Sequence, residues 1–357
     1  MKIVITVSQI SPGGGLTKYV CSLAKILTDN SDNEIWVLTT HPSKKNPELE
    51  KLMKERNIRY ISLGSFSKVR KYLSLVSVLR NISPDILINN YNASVQYVLP
   101  FLSRKIKVVH VLHNNTLDFY RVAAINGRYV NRWIAPTPAL MEYFNTYTGH
   151  KYRDRIVVIP HGVDTPIGEK AKNHPVVQLA FVGVLFEHKG VKVLPDIIRG
   201  LLAKKYKFHF TFIGDGILRN ELEHDLRDEI RAGIVEFTGR ISGEEVYRKL
   251  SEIDLFIYPT HIDAFGLVIA EAMINSAVPV VTNLAGITDS LIDDSINGYL
   301  VPQDAVDVFV EKIAGLIEDE TLRNRMSAAA FEKASKCFTH HVMKTNYLNF
   351  IDRLFIQ

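Results

Sequence analysis

Residues 254–281 read DLFIYPTHIDAFGLVIAEAMINSAVPVV. A short apolar strand, DLFIYP, gives way to the loop THIDAFG, then to a helix running from about Gly266 through Ile274. A second apolar strand, VPVV, follows. Strand, helix and strand in such quick succession form the repeating unit of a parallel sheet, because parallel neighbours must be joined by a crossover. Neither strand alternates polar with apolar residues, so both faces of the sheet are covered. The N-terminus of the helix exposes unpaired N–H groups at the positive end of its dipole, which makes the junction an anion site. Glu271 sits inside an otherwise apolar helix, where a carboxylate is costly without a polar partner. Sugar hydroxyls would serve, and so would a backbone group or an arginine. Asp263 precedes the helix. The two carboxylates could form a glycosidase-like acid/base pair, but a loop-plus-helix placement does not fix their separation.

Outward from this stretch the same alternation covers the chain. Before it come VQLAFVG, KGVKVLPDIIRGLLAKK, FHFTFIGDG, LRNELEHDLRDEI, VEFTG and SGEEVYRKLSEI, and after it DAVDVFVEKIAGLIED. An earlier series holds KIVITVSQ, EIWVLTT, IRYISL, PDILINN, KVVHVLHN, WIAPT and RIVVIPHG, with helical runs from Leu16, near Glu48–Glu55 and from Ser67 to Arg80. The two series meet at PHGVDTP, Pro160–Pro166, whose two prolines and glycine mark a hinge. The expected fold is therefore α/β, with two doubly wound domains. Ligands of such sheets bind at the carboxyl ends of the strands, and with two domains the cleft between them is the natural place for chemistry.

Composition agrees with this. A chain of 357 residues, 46% hydrophobic and 23% charged, is long for a single core and too apolar for disorder. MKIVITVSQI reads as a first strand, not a signal peptide, and no run reaches the roughly 18 apolar residues of a membrane span. Cys21 and Cys337 have no CxxC partner, so neither a disulfide nor a thiolate metal site is expected, and a cytoplasmic setting suits them. Charge is uneven. Residues 1–160 hold 22 Lys/Arg against 10 Asp/Glu, leaving 21 against 28 in the remainder. A basic half suits phosphates, anionic lipid or an acidic substrate, or simply a solvated surface. Its basic residues are scattered and form no recognisable RNA or DNA module, so nucleic acid is not the expected partner.

Three other corners carry candidate chemistry. Ser11-Pro12-Gly13-Gly14-Gly15 follows the first strand and opens a helix, which allows close approach of a ligand to the backbone or merely a tight turn. It is neither a dinucleotide fingerprint nor a P-loop. His110 lies inside VVHVLHN, where a packed histidine is expected. His113 lies at the carboxyl end of that strand, within reach of a ligand, with no third residue nearby to suggest a metal. Lys189, in FVGVLFEHKG, can meet a phosphate as a point charge or face water.

Taken together, these motifs resemble the retaining glycosyltransferases of family 4, which have a two-Rossmann-domain (GT-B) architecture. The family shows EGFGLxxxEAMxxGxPVV where this chain has DAFGLVIAEAMINSAVPVV, so Asp263 and Glu271 fall on its two acidic positions. Gly13–Gly15 match its acceptor-side loop, VVHVLHN its strand ending in a sugar-facing histidine, VVIPHGVD its interdomain segment (with His161 for the usual Asn), and Lys189 its diphosphate-binding lysine. FIGDG and FTGRIS resemble its nucleotide-binding corners. Three departures stand out: Asp263 is one methylene short, Val184 replaces a diphosphate-binding arginine whose place Arg240 could take, and Ala285–Asp289 replaces a GGxPE-like loop.

The resemblance implies two domains facing across a cleft, residues 1–163 for the acceptor and 164–335 for the nucleotide-sugar, with a C-terminal helix, 336–357, packing back on the first. It implies transfer of a hexose-type sugar from a nucleotide-diphosphate donor, UDP favoured, to a glycan or lipid-linked saccharide in bacterial envelope polysaccharide synthesis. His113, Lys189, Asp263 and Glu271 would be the catalytic residues. Lys189, Gly214, Arg240, Asp263, Ala264, Phe265, Gly266, Leu267 and Glu271 would bind the donor. No metal or other cofactor is implied. The basic, partly apolar run Lys68–Arg80 could rest on an anionic membrane, or the apolar positions could be its core face. The competing readings are a non-catalytic glycan- or nucleotide-binding protein of this fold, a nucleic-acid-binding protein, and a nucleotide-sugar epimerase.

Overall fold

The computed structural model describes residues 1–10, 15–29, 33–42, 47–56, 58–64, 67–165 and 174–356. They form two compact units, Met1–Gly162 with His340–Gln357, and Val163–Thr339.

The first unit contains β1 (Lys2–Val7), α1 (Gly15–Thr28), β2 (Glu34–Thr39), α2 (Pro47–Glu55), β3 (Arg59–Ser62), α3 (Lys68–Ile82), β4 (Ile86–Asn90), α4 (Ala93–Val98), β5 (Lys107–Val111), α5 (Leu117–Ala124), β6 (Arg132–Ala135), α6 (Pro138–Tyr147) and β7 (Ile156–Val158). The strands make one parallel sheet in the order β3-β2-β1-β4-β5-β6-β7. All seven strands expected in this half are present. Helices α4, α5 and α6 were not anticipated. They are short, and α4 and α6 are held by local caps: the Asn92 side chain accepts from the Ser94 N–H, and Thr137 Oγ1 accepts from the Leu140 N–H with Pro138 in the first turn.

The second unit contains β8 (Val177–Val182), α7 (Leu194–Ala203), β9 (Phe208–Ile213), α8 (Arg219–Asp225), α9 (Arg227–Arg231), β10 (Val235–Gly239), α10 (Gly243–Glu252), β11 (Leu255–Tyr258), α11 (Leu267–Ile274), β12 (Val278–Thr282), β13 (Tyr299–Val301), α12 (Val306–Glu318) and α13 (Glu320–Cys337). Its sheet is also parallel, in the order β10-β9-β8-β11-β12-β13. Strand β11 is buried throughout and β12 likewise, as their unbroken apolar sequences require. The run 218–230, read as one helix, divides at Leu226, whose own conformation (φ −93°, ψ 19°) leaves the helical region.

The chain then returns to the first unit as α14 (His340–Ile356). Met343, Tyr347, Phe350, Ile351 and Leu354 join the core built on β1, β2, β4 and α1. The Tyr19 and Tyr347 hydroxyls meet inside it. The second unit runs on to Thr339, four residues past the boundary expected at 335, because α13 continues to Cys337 and Val163 pairs with Phe338 and Thr339.

Candidate functional site

In the second sheet the strand order reverses between β8 and β11. The loops after these two strands therefore border the topological switch point. Lys189 is in the first loop and Asp263 in the second. Gly190 ends the turn that carries Lys189, with φ +66°, and a side chain there would begin 1.7 Å from the Pro259 carbonyl oxygen. Only glycine lets the two loops come this close. The contact is fastened by His188, whose carbonyl accepts from the His261 N–H at 3.0 Å and from Thr260 Oγ1 at 3.3 Å.

Lys189 Nζ then donates to Asp263 Oδ2 at 3.0 Å and to the Tyr258 hydroxyl at 2.7 Å. The Tyr258 hydroxyl in turn donates to the same carboxylate oxygen at 2.9 Å. The other oxygen, Oδ1, accepts from the N–H groups of Ala264, Gly266 and Phe265 at 2.8, 3.0 and 3.3 Å. Burial by itself would raise the Asp263 pKa. The Lys189 ammonium, the Ala264 N–H and Tyr258 outweigh it, and the carboxyl ends below its ordinary range. Burial and then the Asp263 charge push Tyr258 well above the usual phenol value, so it stays a donor. Tyr258 escaped the sequence reading because a tyrosine closing an apolar strand looks like core.

Two N–H groups were expected to face a diphosphate. That of Gly266 is directed at Asp263, whereas those of Leu267 and Val268 have no acceptor among the described residues and open the first turn of α11. Glu271 is buried in α11 at 6% exposure. Its partner is the Tyr247 hydroxyl, which also accepts from the Asp164 N–H at 3.1 Å. Tyr247 is raised above the ordinary phenol value by burial and then by Glu271 and Asp164. It too was missed, since α10 carries it on a largely polar helix.

Gly214, after β9, packs so closely that a side chain would begin 1.9 Å from the Gly183 carbonyl oxygen. Val184 is exposed beside it, and Arg240 is exposed after β10. Arg219 is a further cation at this corner: one of its guanidinium nitrogens stands 2.7 Å from where a Gly239 side chain would start, and it pairs with Glu223 at 2.7 Å. In the loop that replaces the GGxPE-like motif, Thr288 Oγ1 donates to the Thr282 carbonyl at 2.8 Å and accepts from the Leu284 N–H at 2.7 Å. Thr288 is fully buried and serves the loop's own fold.

In the first unit, His113 follows β5, and its Nε2 lies 2.9 Å from Asn90 Oδ1 at the end of β4. Its ring meets Tyr19 at 4.8 Å and His161 at 5.7 Å. Burial, then His161 and His110, hold its pKa well below the usual histidine range, so it is a neutral imidazole donating from Nε2. His110 is core: Gln96 Nε2 and Asn89 Nδ2 meet its Nδ1 at 2.8 and 3.3 Å, and burial lowers its pKa to about 3. Tyr91, beside Asn90, adopts φ 51° and stacks on Phe119 at 3.6 Å. Gly13 and Gly14 lie outside the described residues. Gly15 begins α1, with open space where a side chain would stand. Among the described residues no group of three or more His, Cys, Asp or Glu is placed to hold a metal ion.

The family model for glycosyltransferase family 4 matches residues 13–166, and that for glycosyl transferases group 1 matches 165–333. This chain belongs to the family 4 glycosyltransferases. The enzyme is 26% identical over 337 residues to an uncharacterised glycosyltransferase of Methanocaldococcus jannaschii, covering 90% of each chain. It is 23% identical over 263 residues to the O-antigen chain mannosyltransferase C of Escherichia coli, covering 68% of each. Among solved structures, Anabaena HepE in complex with UDP shares 18% identity and a TM-score of 0.81, over 99% of this chain and 100% of that one. The glycosyltransferase therefore has the GT-B fold of two Rossmann-like domains.

Proposed function

We propose that this glycosyltransferase moves a hexose-type sugar, with retention of configuration, from a nucleotide-diphosphate donor to a glycan or lipid-linked saccharide in bacterial envelope polysaccharide synthesis. The observation that carries the proposal is the Lys189–Asp263 pair at the N-terminus of α11, about one turn ahead of the buried Glu271. A cation and open N–H groups suit a diphosphate, and the buried carboxylate suits ribose hydroxyls. Lys189 and the Leu267 and Val268 N–H groups stabilise charge as the nucleotide leaves. Asp263, with the backbone of Ala264 and Phe265, faces the sugar hydroxyls, and Gly214 and Arg240 border the nucleotide. In the first unit, His113 is the residue proposed to contact the transferred sugar. The cation and the helix dipole supply the positive charge, so the reaction is proposed to need no metal or other cofactor. UDP is the favoured nucleotide, supported by the fold shared with UDP-bound HepE. The O-antigen relative supports the polysaccharide setting, and a place on the cytoplasmic side of the membrane is part of the proposal.

A thermal-shift screen of UDP- and GDP-sugars, followed by transfer to candidate glycans and determination of the product anomer, tests this. Stabilisation by a UDP-sugar and a product with the donor's anomeric configuration are expected, with turnover unaffected by a chelator. Stabilisation by GDP-sugars alone would overturn the nucleotide assignment, and an inverted product would overturn the mechanism.

A further inference from the structure

Two consecutive asparagines close β4, both fully buried, and each addresses a histidine on or just beyond β5. Asn89 Oδ1 accepts from Thr6 Oγ1 at 2.9 Å and from the Asn92 N–H at 3.1 Å, so its Nδ2 is the atom that faces His110 Nδ1, at 3.3 Å. Gln96 Nε2 meets the same nitrogen at 2.8 Å. The Nδ1 lone pair of His110 is thus spent inside the core. Asn90 is turned the other way. Its Nδ2 donates to the Ile88 carbonyl at 3.5 Å, which leaves Oδ1 to face His113 Nε2 at 2.9 Å. An amide oxygen only accepts, so Nε2 carries the proton and Nδ1 the lone pair. Nδ1 has no hydrogen-bond partner among the described residues, and His113 keeps part of its surface open.

The ring is also held in place by its neighbours. Tyr19 of α1 stands edge-on to it, 4.8 Å away at 72°, and lies 4.5 Å from His161. Tyr19 is in turn fixed through its hydroxyl by Tyr347 of α14. Among the described residues, the titratable groups around the imidazole are Tyr19, His110 of β5 and His161 after β7, with Tyr347 behind Tyr19. None of these is a carboxylate, which would draw a second proton onto the ring. An amide oxygen at Nε2 decides which nitrogen is protonated and adds no charge.

We infer that Asn90 is a positioning residue for transfer: its oxygen holds His113 as the Nε2–H tautomer, so that Nδ1 accepts a hydrogen bond from a hydroxyl of the transferred sugar. This rests on the contact between His113 and the sugar proposed above. Asn90 acts only through His113. The consequence is a donor preference, because a sugar that lacks the hydroxyl facing Nδ1 leaves that lone pair unmet.

Proton–nitrogen correlation spectra of the full chain, labelled with nitrogen-15 histidine, read the tautomer without any substrate. His113→Gln identifies the His113 signals. The wild type should show Nε2–H with an unprotonated Nδ1 near neutral pH. Asn90→Leu, which removes the acceptor, should admit the Nδ1–H form. A wild type protonated at Nδ1, or an Asn90→Leu protein still purely Nε2–H, overturns the inference whatever the reaction. Kinetics test the second half, with UDP-glucose, or the sugar nucleotide selected by thermal shift, and its monodeoxy analogues. In the wild type, loss of the hydroxyl that meets Nδ1 should cost about tenfold in kcat/KM, the worth of one neutral hydrogen bond. Asn90→Leu should cost about as much with the full sugar and little more with that analogue. Asn90→Asp keeps an acceptor but adds a charge that favours the imidazolium. Its kcat should fall as pH drops and approach the wild type at high pH. The wild type, with the His113 pKa held low by burial and then by His161 and His110, should show no such limb near neutrality. Equal losses for every analogue, or an unchanged pH profile in Asn90→Asp, would reduce Asn90 to a structural residue and overturn the inference. Thermal melts show whether each variant is folded. If no sugar nucleotide is turned over, the function proposed above fails, while the spectra still decide whether Asn90 sets the tautomer.

Discussion

At the scale of single residues, the second unit's site is a set of groups that satisfy one another. Asp263 receives five hydrogen bonds, from Lys189, Tyr258 and three backbone N–H groups. Its folded pKa is below that of the unfolded chain. It therefore stabilises the fold above the ordinary carboxylate range, near pH 4, and that contribution is lost as pH falls through the folded value. Urea melts of the wild type and Asp263→Asn should thus differ most near neutral pH and converge in acid. Lys189→Ala should lower kcat about 100-fold or more, the typical cost of losing one donor to a developing anion. Glu271→Ala should weaken donor binding by about 2–3 kcal/mol, the worth of a charge-assisted hydrogen bond, with the circular dichroism spectrum unchanged. Titration with the nucleotide reads that loss directly. Glu271 was legible in the sequence because a carboxylate interrupts an apolar helix there, and Lys189 and Asp263 because each lies in a loop between an apolar strand and a helix. Tyr247 and Tyr258 were not, because a tyrosine's apolar body hides its polar tip in a hydrophobicity pattern.

At the scale of elements, the strands were the most legible feature. Doubly covered parallel strands tend to be apolar runs, and twelve of the thirteen strands among the described residues stand out in the sequence. The exception, β13, is the three-residue edge strand Tyr299–Val301. Helices α4, α5 and α6 were harder to see, since six to ten residues give too few turns for a 3.6-residue period to repeat. The loops after β8 and β11 depend on Gly190. Gly190→Ala places a methyl against the Pro259 carbonyl in a left-handed conformation and should cost more than about 2 kcal/mol. Chemical denaturation would report that loss, and a raised donor KM would report the displacement of Lys189.

At the scale of the whole molecule, two series of strands announce two sheets, whereas the partition of the chain depends on contacts distant in sequence. The five side chains that α14 adds to the first core are each worth about 1.5–3 kcal/mol when buried. Their sum rivals the entire stability of a domain. Removing residues 340–357 should therefore leave the first unit without cooperative unfolding, as near-ultraviolet circular dichroism or amide exchange would show, while 163–339 keeps its own core. There is a consequence for biosynthesis. The ribosome makes the first 162 residues, then all of the second unit, and only then the helix that closes the first core. The half of the protein born first is completed last, and it must wait, partly assembled, through the translation of some 180 further residues, which at about 5–20 residues per second is roughly ten to forty seconds.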